Sequence, residues 1–487
     1  MINNPLSLSK DHNPNYLATI CRIESVVPME KADRLVKTVI NGYDMVISKD
    51  MKPGDLIVYF PCESCICQKF LSANNLYERS EFEMNSNADE VKKLIELAEN
   101  QEDETKKSEL LQQIKSMCGF FNVKGRVRIL KLRGEYSQGF IAGVDSLEKM
   151  DPTLAGTDWS SLVGTQFDTI NGELLCWKYV IVHTDHHTGS QSDWKKRMRR
   201  LKRFDRLVAG QFAYHYDTTM LAEHIRELSP DDIVHITVKI HGTSGIFCNI
   251  LVKRKLKWYE KVKKFFGFKV KETEYGNVYS SRKVIKNQYI NQNVGSGFYS
   301  TDVWGAVNEM LKPMLLKGMT VYGEICGYEP NTSKFIQKNH DYGCKVGEWK
   351  FMPYRITMTD EQGNKEEWNL DAVIQWTKDV IRMYPDCEKN IMCLTTLYHG
   401  RLGDLYPDVK EDSSWHENML AHMKADKENF LMELDEPLCK NKVPREGIVV
   451  RIDDDIRPRA WKLKTLRHYG KEAEEADAGE SNIEDEN

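Results

Sequence analysis

One lysine in "VKIHGT" and two in "AWKLKT" carry the most chemistry in this sequence. A lysine side chain titrates near ~10.4, so at neutral pH it is an ammonium and no nucleophile. Neighbouring positive charge and a metal ion disfavour that charged form, and bringing the amine near neutrality costs roughly 4 kcal/mol. Lys239 stands in a strand-like run that breaks at Gly242. Lys462 and Lys464 stand at i and i+2, so both ammonium groups point the same way, with Trp461 and Leu463 opposite. In one pocket, a crowded Lys239 would attack a phosphorus while Lys462 and Lys464 hold the oxygens that gain charge. Glu446, heading "EGIVVRI", would orient Mg2+, and Glu324, between two glycines in "VYGEICGY", would accept from a ribose hydroxyl. Gly242 would let the backbone approach the ligand closely. Arg282 in "SSRKVI" adds a further cation. Together these groups suit covalent nucleotidyl transfer. Taken singly, a lysine on a strand is more often an edge strand guarding itself against aggregation. The combination within one region argues for the chemistry.

The elements that must position these groups are legible from their periodicity. In "DDIVHITVKIHGTSGIF", Val234, Ile236, Val238 and Ile240 share one face of a predicted strand, and His235, Thr237, Lys239 and His241 the other. From Phe212 onward a larger mixed α/β region runs to about Tyr469. The chain before about residue 175 reads as a strand-rich module, a small closed barrel. In it, "LVKTVINGYDMVIS" places Asn41-Gly42 between two alternating runs, the signal of a type I′ hairpin. Helical spacing over about 85–117 predicts an inserted helical hairpin. Lys124, Arg126, Arg128, Lys131 and Arg133 either track a phosphate backbone or form a solvated strand face. The expected division is 1–175 for the barrel domain, 176–210 for a basic linker, 211–470 for the catalytic domain and 471–487 for an acidic disordered tail.

A length of 487 residues exceeds one ordinary core, which supports this division. The net charge of −5 argues at first against a nucleic-acid partner. Without the last 17 residues, which carry eight acidic groups and one lysine, the remainder is about +2, and basic runs such as "WKKRMRRLKRFDR" and "LVKRKLKWYEKVKK" stand out. Twelve cysteines without a regular framework suit a reducing, cytoplasmic setting. Cys62, Cys65 and Cys67 read as buried thiols rather than half of a zinc site, and His183 to His187 as polar linker rather than metal ligands. No leader and no apolar run of ~18 residues is apparent, so no membrane partner is expected.

In order along the chain, Lys239-Ile-His-Gly242, Ser281-Arg282, Tyr322-Gly-Glu-Ile325, Glu446-Gly-Ile-Val-Val450 and Lys462-Leu-Lys464 resemble the successive motifs of the covalent nucleotidyltransferases, the polynucleotide ligases and mRNA capping enzymes. "FMPYRIT" matches the intervening aromatic motif, which makes Tyr354 the candidate for stacking on the base. DNA ligases and capping enzymes usually have Asp where this chain has His241, so "KIHGT" looks like the RNA-ligase variant. With a barrel in front and only 23 residues after Lys464, the chain resembles the Deinococcus-type RNA ligase family. The resemblance implies an α+β ligase fold of antiparallel sheets with helices behind an OB-like domain. It implies that ATP adenylates Lys239, that AMP passes to a 5′-phosphate, and that a 3′-hydroxyl then displaces it, with Mg2+ or Mn2+ throughout. It also implies nicked duplexes or broken RNA as partners, with RNA on the 3′-OH side, and a monomer. His241 would position the departing pyrophosphate, and Arg282 would contact ribose or the 5′-phosphate. The competing readings are a GTP-dependent capping-type enzyme and a nucleic-acid-binding protein with a decayed site. The helical insertion and the basic stretch Leu251–Lys271 depart from the family pattern.

Overall fold

The computed structural model describes residues 5–30, 32–85, 88–101, 103–180, 206–215, 218–286, 299–426, 431–432, 434–453 and 458–477. The histidine run 183–187, nearly all of the basic stretch 194–206 and the last ten residues lie outside them. The chain divides into two compact units, Met1–Val180 and Ile181–Asn487.

The first unit is built from short strands. A four-stranded antiparallel sheet runs in the order Phe140–Gly143, Leu56–Phe60, Ala18–Arg22, Gln166–Phe167. It buries Ile20, Val58, Phe60 and Phe167 against Phe70, Phe121 and Leu147. Strands Leu35–Ile40 and Tyr43–Ser48 pair with Ile40 opposite Tyr43, so Asn41 and Gly42 alone make the turn. Both have positive φ, 54° and 78°, as a type I′ turn requires. The helices Ala88–Glu99 and Glu104–Met117 pack on each other through Ala98 and Ile114, with Leu94, Ile95 and Leu110 around them. The Asp103 side chain caps the second, accepting from the Thr105 and Lys106 amides.

Arg126 corrects the reading of the basic strand. It is buried at 6% exposure, clamped by Glu63 in a two-pronged pair at 2.8 and 3.0 Å, and lies over the Tyr179 ring. A guanidinium so enclosed tracks no phosphate. Beside it Cys65 is buried and Cys62 and Cys67 are half-buried; desolvation raises all three thiols, that of Cys65 to about 12.

The second unit holds two five-stranded sheets. The first has the order Thr219–Met220, Arg459–Lys464, Gly447–Ile452, Ile233–Lys239, Thr396–Arg401; its pairs are antiparallel except the first, which is parallel. The second is antiparallel throughout: Thr273–Ser280, Thr243–Lys253, Met319–Gly327, Trp349–Thr359, Lys365–Glu367. The chain passes from one to the other at residues 240–242, directly after Lys239. Between the sheets Val238 and Ile240 of one meet Cys326 and Met352 of the other. On the far side of the second sheet, helices Val303–Leu311 and Leu370–Met383 cover Phe247, Val321, Phe351 and Ile356. Among the described residues no helix is long and apolar enough to cross a membrane.

The Lys239 strand is thus internal, and the edge-strand explanation fails for it. Its apolar face is buried as the alternation predicts, but its polar face is covered too: His235 is 5% exposed and Thr237 4%. The acidic tail also begins later than its composition suggests. Residues 471–477 continue the helix Leu466–Asp477, and Ala473 is buried at 7% exposure. Charge composition alone missed this because only one face of that helix is polar and solvated.

Candidate active site

Strand register assembles the cations. Lys239 lies opposite Gly447, and Gly447 lies opposite Lys464, so the two lysines face the same side with only a glycine between them. A side chain at Gly447 would have its Cβ 2.0 Å from the Leu463 carbonyl oxygen, so the strand geometry excludes one. Thr237, Val449 and Lys462 form the next rung on that face. The strands therefore deliver the paired lysines and Lys239 to one surface, as period two requires.

Glu446, one residue before its strand, occupies the gap. Its side chain is 1% exposed, and Oε1 accepts from Lys239 Nζ at 2.7 Å and lies 3.2 Å from Lys464 Nζ. Burial opposes ionisation of this carboxyl, but the two ammonium groups and His241 outweigh it and hold it well below the usual carboxylate range. Here the expectation for Lys239 needs correcting. Its nearest charged neighbour is a carboxylate rather than another cation, and an opposite charge at this distance favours the ammonium form.

His241 lies beyond the strand end. Its amide donates to the Tyr342 hydroxyl at 2.8 Å, and its Nδ1 stands 3.7 Å from Glu446 Oε2. Both of these atoms are buried and neither makes a hydrogen bond. Its ring packs edge-on against those of His340 and His468, with centroids 4.8 and 4.7 Å away. His340 is pushed down to about 2, first by burial and then by His241 and Lys471, so it stays neutral.

His468 and Glu472 complete the site, and the sequence reading missed them. Thr465 ties the start of the last helix to this place. Its amide donates to the Glu446 carbonyl, its hydroxyl to the Arg445 carbonyl, and it accepts from the His468 amide. Positions i and i+4 then share one helix face, which sets His468 Nε2 3.2 Å from Glu472 Oε1. Glu472 Oε2 is 3.2 Å from Lys464 Nζ. Burial opposes its charge, but Lys464 and His468 keep it well below the usual range. The available signal was the spacing in "TLRHYGKEAEE", a threonine cap followed by His and Glu one turn apart.

Gly242 is closely packed against the second sheet. A Cβ there would come within 2.3 Å of the Ile325 carbonyl oxygen and 2.8 Å of Glu324 Cγ, so the glycine admits the neighbouring glutamate strand. Glu324, 7% exposed, lies opposite Ser244 and accepts from its hydroxyl at 3.2 Å. Tyr354 sits at a bulge: Tyr322 pairs with Arg355 and Gly323 with Pro353, leaving Tyr354 as the extra residue. Bulges re-aim side chains, and this one packs by Val238 and Ile240 with its hydroxyl 3.3 Å from His215 Nδ1. Arg282 is half-buried just past strand Thr273–Ser280, the edge strand of the second sheet.

Residues 232–464 match the RNA ligase family model, and residues 17–92 match an OB-fold domain. No curated protein matches the chain. Among solved structures, a Naegleria gruberi RNA ligase variant with ATP and Mn is 14% identical, covering 95% of this chain and 99% of that one with a TM-score of 0.50. Another, with AMP and Mn, is 15% identical and covers 93% and 98% with a TM-score of 0.51. At that identity the likeness is one of fold, and the α+β fold of antiparallel sheets behind an OB-fold domain is that of RNA ligase structures. The segment that carries the lysine, the glutamates and the paired lysines is thus the one that matches the RNA ligase family model.

Proposed function

We propose that this protein is an ATP-dependent RNA ligase that joins 3′-OH and 5′-phosphate ends through an AMP adduct on Lys239. The observation that carries this reading is the rung Lys239–Gly447–Lys464 with Glu446 buried between its two ammonium groups. Lys239 Nζ, once deprotonated, would attack the α-phosphorus of ATP; an N–P bond forms and the bond to pyrophosphate breaks. The 5′-phosphate of a strand would then take the AMP as the N–P bond breaks. Finally the 3′-oxygen attacks that phosphate and AMP leaves.

Glu446 Oε2 and His241 Nδ1, buried, unbonded and 3.7 Å apart, fit a divalent cation. Bound there, Mg2+ or Mn2+ would supply positive charge beside both the amine and the phosphate oxygens. An imidazole in the donor set favours Mn2+ over Mg2+, which prefers oxygen alone. Glu446 would hold the Lys239 amine in line until ATP and cation arrive. Lys464, itself held by Glu472, and Lys462 would carry the charge that develops on phosphate oxygens. Glu324 would accept from ribose, Tyr354 would stack on the base, and Arg282 would contact ribose or the 5′-phosphate.

The order of an OB-fold match ahead of the ligase segment supports a Deinococcus-type ligase, and the proposal extends to a cytoplasmic monomer that acts on nicked duplexes with RNA at the 3′-OH side. The test is to incubate the full chain with ATP labelled at the α-phosphate and Mn2+. One acid-labile AMP per chain is expected, none in Lys239→Ala, and sealing only of substrates with a ribonucleotide at the 3′-OH side. Labelling by GTP in place of ATP, or label retained by Lys239→Ala, would overturn the reading.

A further inference from the structure

The strand that ends in Lys239 carries a second histidine cluster at its other end. His235 lies directly opposite His399 in register, and their rings stack with centroids 3.7 Å apart and planes 21° apart. Asp371, in the first turn of helix Leu370–Met383, completes the group: one donor atom from each of the three residues lies within 4.8 Å of the others. The three residues come from three elements, so the cluster is a product of tertiary folding.

His235 is 5% exposed, and its Nδ1 is buried without a hydrogen bond. A buried ring nitrogen left unbonded costs about 1–3 kcal/mol unless something else satisfies it. On its other side, Nε2 stands 3.8 Å from Asp453 Oδ2. That carboxylate is itself fixed, accepting from Arg451 Nε at 2.6 Å and from the Leu370 amide at 2.7 Å. An anchored carboxylate behind an imidazole is the outer partner that orients metal-binding histidines.

We propose that His235, His399 and Asp371 bind a transition-metal dication of the Zn2+ class at a site separate from the nucleotide pocket. Two imidazoles and a carboxylate are a three-ligand set that zinc accepts with water in the fourth position. Tetrahedral bonds of about 2.0–2.1 Å place ligand atoms about 3.3 Å apart, so donors up to 4.8 Å apart must close by up to about 1.5 Å. His399 and Asp371 are exposed and can rotate to do so, while buried His235 supplies the fixed point. The bound ion would tie the start of helix Leu370–Met383 to the Lys239 strand and its neighbour Thr396–Arg401.

The full chain, stripped with a chelator and free of nucleotide, is titrated with Zn2+ by calorimetry and with Co2+ by visible absorption. His399→Ala, Asp371→Asn and His241→Ala are titrated alongside. His399 and Asp371 are exposed, so their variants are expected to fold, and retained Tm without metal checks this. The wild type should take up an equivalent of metal that both His399→Ala and Asp371→Asn lose or bind at least about tenfold more weakly. His241→Ala should retain it. A wild-type titration in the first two variants, loss of that same equivalent in His241→Ala, or no uptake by the wild type would each overturn the site.

Discussion

The two ends of the strand Ile233–Lys239 present the same ingredients, histidines and carboxylates, in opposite electrostatic settings. At the Lys239 end, buried Glu446 and half-buried Glu472 stay charged because Lys239 and Lys464 pair with them. At the His235 end, His399 and Asp371 are exposed, and the buried His235 faces no lysine within salt-bridge range among the described residues. A buried carboxylate survives only when cations or hydrogen bonds compensate its lost hydration. The first end is therefore a preorganised anion site with its charges already paired. The second holds a buried ring nitrogen of His235 that makes no hydrogen bond. The strand Arg459–Lys464, second along the sheet, and the helix that follows it decided this difference.

This comparison can be broken most sharply at Glu446. Glu446→Gln leaves Lys239 without its partner, and losing one member of a buried pair costs about 3–5 kcal/mol. Adenylation should fall by about a hundredfold or more, since Lys239 loses the group that aligns it. A denaturant titration and an AMP-labelling assay check the two effects together. The corresponding change at the other end, His399→Ala, should leave adenylation near wild type.

Next in size is the last helix. A chain ending at Tyr469 should lose both Tm and adenylation, because Glu472 no longer holds Lys464. A chain ending at Asp477 should retain both. Glu472→Gln should reduce adenylation about tenfold, the 1.4 kcal/mol of a charge-assisted hydrogen bond. Equal activity of the two truncated chains would mean that Lys464 needs no support.

A further expected effect is on stability against pH. His340 titrates near 2 in the fold against an ordinary 6.5, so the folded protein keeps it neutral. A lowered folded value means that this stability is present above pH 6.5 and is lost as pH falls below it, by about 1.4 kcal/mol per pH unit. His468, also lowered by burial against the pull of Glu472, acts in the same direction. Denaturant midpoints measured between pH 7 and 5 should fall steeply for the wild type and less so for His340→Gln. Parallel curves would remove His340 as a source of acid sensitivity.

Much of this protein was legible in its sequence for a plain reason: side-chain direction in a strand depends only on parity. Period two alone put Lys462 with Lys464 on one face and Lys239 opposite Val238, and Asn41-Gly42 announced a turn that only positive φ at both residues can make. Parity cannot say which strands are neighbours, and register is a long-range property. That Lys239 lies across from Gly447 and Lys464, that Glu446 rather than another cation touches its amine, and that Gly242 admits the glutamate strand were all decided by packing between segments distant in the chain. The bulge at Tyr354 has the same origin, for one extra residue in a strand leaves no mark on composition. His468 and Glu472 escaped notice because a local count of acidic residues describes a tail. Only the fold shows that one of those acids turns inward, where Lys464 waits to neutralise it.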